Sequence, residues 1–279
     1  MKPRDLGPFP ASGMPGLRCV PVCVHRGGTA ALADDWLADE VPVAMVFNGL
    51  THGVMLATPA DLEDYALGFA LGEGLLGHAG EWRGAEAVAV PGGIELRSEV
   101  SAACEHRLRE RRRVLAGRTG CGLCGSESLQ QVDALAQGLA PVPGHTVSAR
   151  ALAAGMQALA AAQPLQQHSG ATHAAAWCDA AGRLLCVRED VGRHNAMDKL
   201  VGALARAGQA RGEGFALVTS RASWEMVLKA ARAGMPALAA VSAPTAPAVA
   251  LAASANLLLA GFVRGADAVV YTFAERLQA

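Results

Sequence analysis

Residues 215–244, FALVTSRASWEMVLKAARAGMPALAAVSAP, decide the fold class of this 279-residue chain. The stretch begins and ends with short apolar runs, and the segment between them has the spacing of a helix that stops near Gly234 and Pro236. Strands that alternate with helices continue through the second half of the chain. This alternation predicts a layered α/β domain with a largely parallel central sheet.

The first half is predicted to be a smaller, β-rich domain of α+β character. Apolar runs flank Asn48–Gly49 and Pro91–Gly93, and both stretches indicate β-hairpins. A helix with Thr58 as its N-cap is expected between them. The stretch APVPGH marks a boundary. We therefore predict a flexible N-terminal tail at 1–17, the smaller domain at 18–140 with a mobile loop at 117–126, and the larger α/β domain at 141–279.

Composition and charge limit the class of protein. The chain has 24 Lys and Arg against 25 Asp and Glu, a net charge of -1, which argues against a nucleic-acid binder. No apolar run approaches the ~20 residues of a membrane span, and the start of the chain does not resemble a signal peptide. Seven cysteines without an even spacing favour the reducing cytoplasm.

Residues 117–125, GRTGCGLCG, place Cys121 and Cys124 in a glycine-rich C-x-x-C motif. A structural zinc site needs a second ligand pair, which is missing, although zinc held by both thiols and a distant histidine stays open. Glycine disfavours, without excluding, a thioredoxin-like dithiol. A mobile sulfur carrier is the third interpretation, in which a thiolate takes up an outer sulfur as a persulfide. The remaining cysteines are predicted to be packing residues: Cys19, Cys23, Cys104, Cys178 and Cys186.

Polar residues gather at predicted strand ends and helix starts in the second half, where α/β proteins place ligands. Ser220 and Arg221 follow a strand and precede a helix, an arrangement that suits an anion such as phosphate. His194 is expected to contact Asp198, one helical turn away. Helix capping explains some of these residues equally well. No P-loop and no G-x-G-x-x-G occurs, which argues against an ATPase or a dinucleotide dehydrogenase.

Several motifs together resemble the formate dehydrogenase accessory sulfurtransferases, the FdhD family. The resemblance runs from about Val20 to the C-terminus, and its most specific parts are GCGLCG (120–125) and EDVGRHNAMDK (189–199). The motifs SGATHAAA, TSRAS and VSAPTAPAVALA occur in the same order. Ala171 departs from the family pattern, which usually has glycine there, and Pro247 is a second departure.

The resemblance implies a function and a set of residues. Cys121 corresponds to the persulfide cysteine and Cys124 to the second thiol. Sulfur would pass from a cysteine desulfurase to a molybdenum or tungsten bis(molybdopterin guanine dinucleotide) cofactor, which is a substrate and is not permanently bound, for use by formate dehydrogenase. No resident metal is expected. The family's cofactor-binding stretch corresponds to Phe262, Val263, Arg264, Gly265, Ala266 and Asp267. From the polar residues at strand ends and helix starts, His173, Arg193, His194, Ser220 and Arg221 are expected to bind the cofactor as well.

The resemblance also implies a cytoplasmic homodimer whose larger, three-layer domain resembles the cytidine deaminase fold. Two other functions stay open. A zinc-dependent, deaminase-like hydrolase would need H-x-E or C-x-E beside P-C-x-x-C, but neither tripeptide occurs and Gly120 precedes Cys121. A chaperone that carries the molybdenum cofactor without transferring sulfur is the other alternative.

Overall fold

A computed structural model describes residues 14–115, 138–209 and 212–278, with the side chains of residues 110–115 left out. Most of the predicted tail and the whole predicted loop at 117–126, with Cys121 and Cys124, therefore lie outside the described residues. No helix in the described ranges is long and apolar enough to cross a bilayer.

The first half contains an antiparallel ribbon, a four-stranded sheet and two helices. The ribbon consists of β1 (Leu17–Arg26) and β2 (Thr29–Ala38). The sheet has the order β4-β3-β6-β5, and its strands are β3 (Val41–Phe47), β4 (Leu50–Ala57), β5 (Trp82–Val90) and β6 (Gly93–Val100). The helices are α1 (Leu62–Gly72) and α2 (Ala102–Leu115), and a 3₁₀ turn spans Ala79–Glu81.

Both predicted hairpins of the first half are confirmed. Asn48 and Gly49 join β3 to β4 with φ angles of 46° and 77°, the left-handed values that a tight hairpin turn requires. β5 and β6 pair antiparallel about the second turn. Parallel pairing of β3 with β6 then places the two hairpins in one sheet.

The predicted cap of α1 is wrong. The helix begins at Leu62, and its N-cap is Asp61, which has a φ of 52° and makes no side-chain capping bond. Thr58 is buried instead. Its backbone N–H donates to Asp190 at 3.0 Å, and its hydroxyl accepts the N–H of Val191 at 3.1 Å. Thr58 therefore ties the first half of the chain to the second.

The second half is built around one six-stranded sheet with helices on both faces. The strands of this sheet are β8 (His173–Asp179), β9 (Leu184–Asp190), β10 (Gly214–Val218), β11 (Ala237–Ala240), β12 (Leu258–Arg264) and β13 (Asp267–Thr272). A separate short pair consists of β7 (Val147–Ser148) and β14 (Leu277–Gln278). The helices of the second half are α3 (Ala149–Ala161), α4 (Pro164–Ser169), α5 (Arg193–Arg206), α6 (Trp224–Arg232) and α7 (Ala246–Ser254), and a 3₁₀ turn spans Ala274–Arg276.

The six-stranded sheet is mixed, so the prediction of a largely parallel sheet is wrong. Its order is β13-β12-β11-β10-β8-β9. Only the pairs β10–β11 and β11–β12 are parallel. β8–β9 and β12–β13 are hairpins, and a tight turn can join only antiparallel strands. β10 also pairs antiparallel with β8. The α/β class and the three layers agree with the prediction.

Alternating side chains of the sheet pack into two apolar layers, one on each face. Trp177, Val218 and Leu238 pack against α5, α6 and α7 on one face. Cys178 and Leu217 pack with α3 on the other. The first half has its own core between its sheet and α1 and α2.

Helices α1 and α5 pack backbone to backbone and join the two halves. A Cβ atom on Gly68 would collide with the carbonyl of Asp198, and one on Gly202 would collide with the carbonyl of Asp64. Glycine at both positions is therefore what allows this close approach.

Candidate functional site

The predicted polar residues meet at one edge of the six-stranded sheet. The carboxyl ends of β10, β11 and β12 lie at this edge because these strands are parallel. β8 runs the other way, so His173 at its start lies there too, and Thr219 donates its N–H to the carbonyl of Ala174 at 3.1 Å. Helices α5, α6 and α7 begin near this edge. Their starts supply backbone N–H groups suited to anions.

A cavity of about 760 Å³ opens between α3 and the strand ends. Its wall includes Val263, Arg264 and Gly265 from the predicted cofactor-binding stretch, whereas Phe262, Ala266 and Asp267 do not line it. The apolar lining comes from α3 and neighbouring strands: Ala153, Ala154, Met156, Leu159, Ala160 and Val241. An apolar lining with a few polar groups is typical of a small-molecule site.

Phe262 has a strained backbone beside this cavity. Its φ is 54°, and its side chain is 43% exposed although it is a large apolar residue. The pairing of β12 with β13 is irregular between Gly261 and Arg264, which accommodates this conformation. A bulky residue in the left-handed region costs about 1–3 kcal/mol, and such strain is concentrated at ligand sites.

Four arginines near this edge have no carboxylate partner in the described ranges: Arg150, Arg193, Arg221 and Arg264. Arg150 lies at the start of α3 and lines the cavity together with Arg264. The Nε atom of Arg193 is buried and has no hydrogen-bond partner. Buried donors are usually satisfied, so this N–H, which has no partner among the described residues, is available to an anion bound at the edge. Arg150 is not among the residues predicted from the sequence, because nothing local distinguishes it from a solvated helix residue.

His194 contacts Glu225 and not Asp198, so the predicted pair is wrong. Its Nε2 atom lies 2.8 Å from Oε2 of Glu225 on α6. This contact is the largest cause that lowers the pKa of Glu225. Asp198 is buried with Lys229 at 2.7 Å. Burial raises the pKa of Asp198 to about 6, against the opposing charge of Lys229.

His173 is half-buried beside Arg193 and His194. Burial lowers the pKa of its imidazole, and the electrostatic effect of Arg193 and His194 lowers it further. His173 is therefore expected to be neutral near pH 7. A neutral imidazole can both donate and accept a hydrogen bond at the site.

Comparisons with known proteins identify the family of this chain. The model of the FdhD/NarQ family matches residues 38–278. The chain belongs to the FdhD/NarQ family. "Sulfur carrier protein FdhD" of Variovorax paradoxus is 58% identical over 87% of each chain, and that of Bordetella petrii is 54% identical over 91% of each. A crystal structure assigned as a formate dehydrogenase accessory protein from Desulfotalea psychrophila has a TM-score of 0.74 and 25% identity, and the match covers 94% of this chain and 100% of that one.

In this FdhD/NarQ chain, the motif EDVGRHNAMDK mainly fixes the start of α5. Asp190 and Lys199 form a fully buried ion pair at 2.7 Å. Asn195 donates from Nδ2 to Asp190 at 2.9 Å and accepts the hydroxyl of Tyr65 on α1 at 2.8 Å. Glu189 accepts the backbone N–H groups of Leu165 and Gln166 at the start of α4. These bonds hold Arg193 and His194 at the edge of the sheet.

The five cysteines of the described ranges divide into two groups. Cys104 and Cys178 are buried and Cys186 is half-buried, as predicted, and burial raises the pKa of Cys178 to about 12. Cys19 and Cys23 are exposed on the ribbon, so the prediction that they pack in a core is wrong. The ribbon has no core along most of its length, and strand alternation alone did not reveal this.

Proposed function

We propose that this chain is a sulfur carrier required for formate dehydrogenase activity. The observation that carries the proposal is its high identity, over most of the chain, to relatives named sulfur carrier proteins. The C-x-x-C motif supplies the chemistry. The thiolate of Cys121 attacks the outer sulfur of a persulfide on a cysteine desulfurase, and the thiolate of the desulfurase leaves. Cys121 then holds the sulfur as a persulfide, and Cys124 is the second thiol.

The acceptor in this proposal is the molybdenum or tungsten bis(molybdopterin guanine dinucleotide) cofactor, bound as a substrate. Its two nucleotide arms carry several phosphates, and the edge of the sheet offers the four arginines that form no ion pair with a carboxylate of the described ranges. Guanidinium groups bind phosphate by paired, charge-assisted hydrogen bonds. The cavity of about 760 Å³ is large enough for part of such a ligand.

Side chains beside the cavity complete the proposed cofactor-binding site. Phe262 offers an exposed ring beside it, where a flat base can stack. The neutral imidazole of His173, with His194, Ser220 and Arg221, supplies hydrogen-bonding groups along the same edge. Arg264 and Gly265 form part of the wall itself, and glycine there lets a ligand approach the backbone.

We further propose that the protein is a cytoplasmic homodimer and that its larger domain shares the cytidine deaminase fold. The mixed sheet between helical layers supports the likeness to that fold. The proposed domain boundary near residue 140 is supported by separate apolar cores on its two sides. The close contact of α1 with α5 holds the two halves together.

Mass spectrometry tests the proposed transfer directly. The purified full chain is incubated with a cysteine desulfurase and cysteine, and we expect a reducible extra sulfur on Cys121. Cys121→Ala should lose this adduct and fail to support formate dehydrogenase, while cofactor binding persists. The Cys104→Ala variant, which removes a buried thiol outside the motif, should keep the adduct. Absence of sulfur on Cys121 would contradict the proposal, and full activity of Cys121→Ala would favour a chaperone without sulfur transfer.

A further inference from the structure

Two exposed side chains on the β1–β2 ribbon, Cys23 and His25, form a pair that the proposed cofactor site does not use. The Sγ atom of Cys23 lies 3.7 Å from Nε2 of His25. Residues two apart on a strand point to the same face, so the strand itself holds the thiol beside the imidazole. Cysteine is usually among the most buried residue types, which makes an exposed thiol with a basic neighbour unusual.

The position of Cys23 on the ribbon leaves its sulfur open to a large partner. Leu17 and Trp36 pack against Leu165 at the base of the ribbon. Cys23 lies roughly 20 Å further along the strand, at the usual rise per residue. Its neighbour across the ribbon, Leu32, is 87% exposed. Cys23 and His25 are likewise exposed, so the face is open at this end of the ribbon.

We propose that Cys23 and His25 form a second sulfur-accepting site, whose substrate is a persulfide, R–S–SH. The proposal rests on the proposed function in one respect, because a sulfur carrier meets donors that hold sulfane sulfur. Imidazole is the ordinary partner of a reactive thiol, since it can take the thiol proton near neutral pH. The pair therefore has the two groups that uptake of a sulfur atom requires.

The transfer step balances without any oxidant or reductant. Nε2 of His25 takes the proton from Sγ of Cys23, and the thiolate attacks the outer sulfur of R–S–SH. A bond forms between Sγ and that sulfur while the S–S bond of the donor breaks. The donor leaves as R–S⁻ and receives the proton from His25. One persulfide has then been exchanged for another, Cys23–S–SH, and the donor has become a thiol.

Cys19 provides an internal control on the same strand. It is exposed, and it lies on the same face of the ribbon as Cys23, where it pairs with Trp36 of β2. Within the described part of the chain, no imidazole lies within hydrogen-bonding distance of its sulfur. The thiolate is the reactive form, so the difference in rate between the two thiols measures the contribution of His25.

The experiment follows sulfur uptake by the reduced, full-length chain with glutathione persulfide as the donor. Samples taken over time are alkylated and digested, and peptide mass spectrometry measures the extra sulfur on Cys19, Cys23 and Cys121. We expect Cys23 to take up sulfur about tenfold faster than Cys19. This factor is smaller than the rate increase that a general base gives in an enclosed active site, because Cys23 and His25 are exposed. His25→Ala should reduce the rate at Cys23 to that at Cys19 and leave Cys19 unchanged.

Equal rates at Cys19 and Cys23 in the unsubstituted chain would overturn the proposal. So would an unchanged rate at Cys23 in His25→Ala. The side chain of His25 is exposed, so its removal is expected to leave the fold intact. Circular dichroism of His25→Ala checks this. Uptake at Cys121 is read from the same digest, so the main carrier function and the ribbon site can fail independently. Sulfur uptake by Cys23 should also persist in Cys121→Ala, because the pair takes sulfur from the donor directly.

Discussion

Arg150 and Arg264 line the same cavity from two different elements, the start of α3 and the end of β12. Neither guanidinium has a carboxylate partner among the described residues, whereas Arg183, Arg188 and Arg206 each form ion pairs. Two like charges on the wall of one cavity repel each other, and an anion between them removes that repulsion. We therefore expect the phosphate groups of the proposed ligand to bind at this wall of the cavity.

Replacing either arginine should weaken binding of a guanine nucleotide. We expect Arg150→Gln and Arg264→Gln each to raise the Kd for guanosine diphosphate about tenfold or more, because a charge-assisted hydrogen bond contributes about 1.5–3 kcal/mol. Isothermal titration calorimetry measures the change. Arg183→Gln is the matched control, since Arg183 pairs with Asp179 in the β8–β9 turn at 2.7 Å. Unchanged affinity in both variants would place the phosphates elsewhere.

Glu81 should make a pH-dependent contribution to stability. A hydrogen bond from Arg107, together with the N–H of Gly77, lowers the pKa of Glu81 from 4.5 to about 2. The unfolded chain therefore binds this proton at a higher pH than the folded chain does. The stabilisation is complete above the unfolded pKa and is lost as the pH falls from about 5 towards 2.

Urea unfolding of Glu81→Gln checks this dependence. The difference in the free energy of unfolding between the unsubstituted chain and the variant should be largest near pH 6 and should shrink steadily below pH 5. Glu95→Gln is the control, because Glu95 forms only a more exposed pair with Arg97. A difference for Glu81→Gln that stayed constant down to pH 2 would show that the carboxylate charge contributes nothing.

A methyl group on Gly202 should separate α1 from α5. The new Cβ would meet the carbonyl of Asp64, which is backbone and cannot move aside as a flexible side chain can. We expect Gly202→Ala to lower the free energy of unfolding by about 1–3 kcal/mol or more, as overpacking does in other cores. Gly53→Ala is the matched control, because nothing lies within 4 Å of its new Cβ. Equal stability of the two variants would contradict the close helix contact.

Local chemistry made several features of this fold predictable. The dipeptide Asn48–Gly49 tolerates positive φ angles, so the sequence alone identified the β3–β4 turn. The alternation of strands and helices identified the α/β class, because the periodicity of apolar residues is also a local property of the sequence. The contact partners of individual side chains were harder to predict from the sequence. His194 and Asp198 are correctly spaced for contact, yet Glu225 and Lys229 on α6 lie nearer to them.

By itself, the sequence determined the hairpin turns, the α/β class and the family, because these depend on residues adjacent in the chain and on their order. Only the tertiary structure decided that the central sheet is mixed, that Thr58 bonds to Asp190, and that Arg150 shares a cavity with Arg264. It also decided that Cys23 is exposed beside His25. The physical reason is that burial and side-chain contacts depend on packing between segments distant in the chain, which no local pattern specifies.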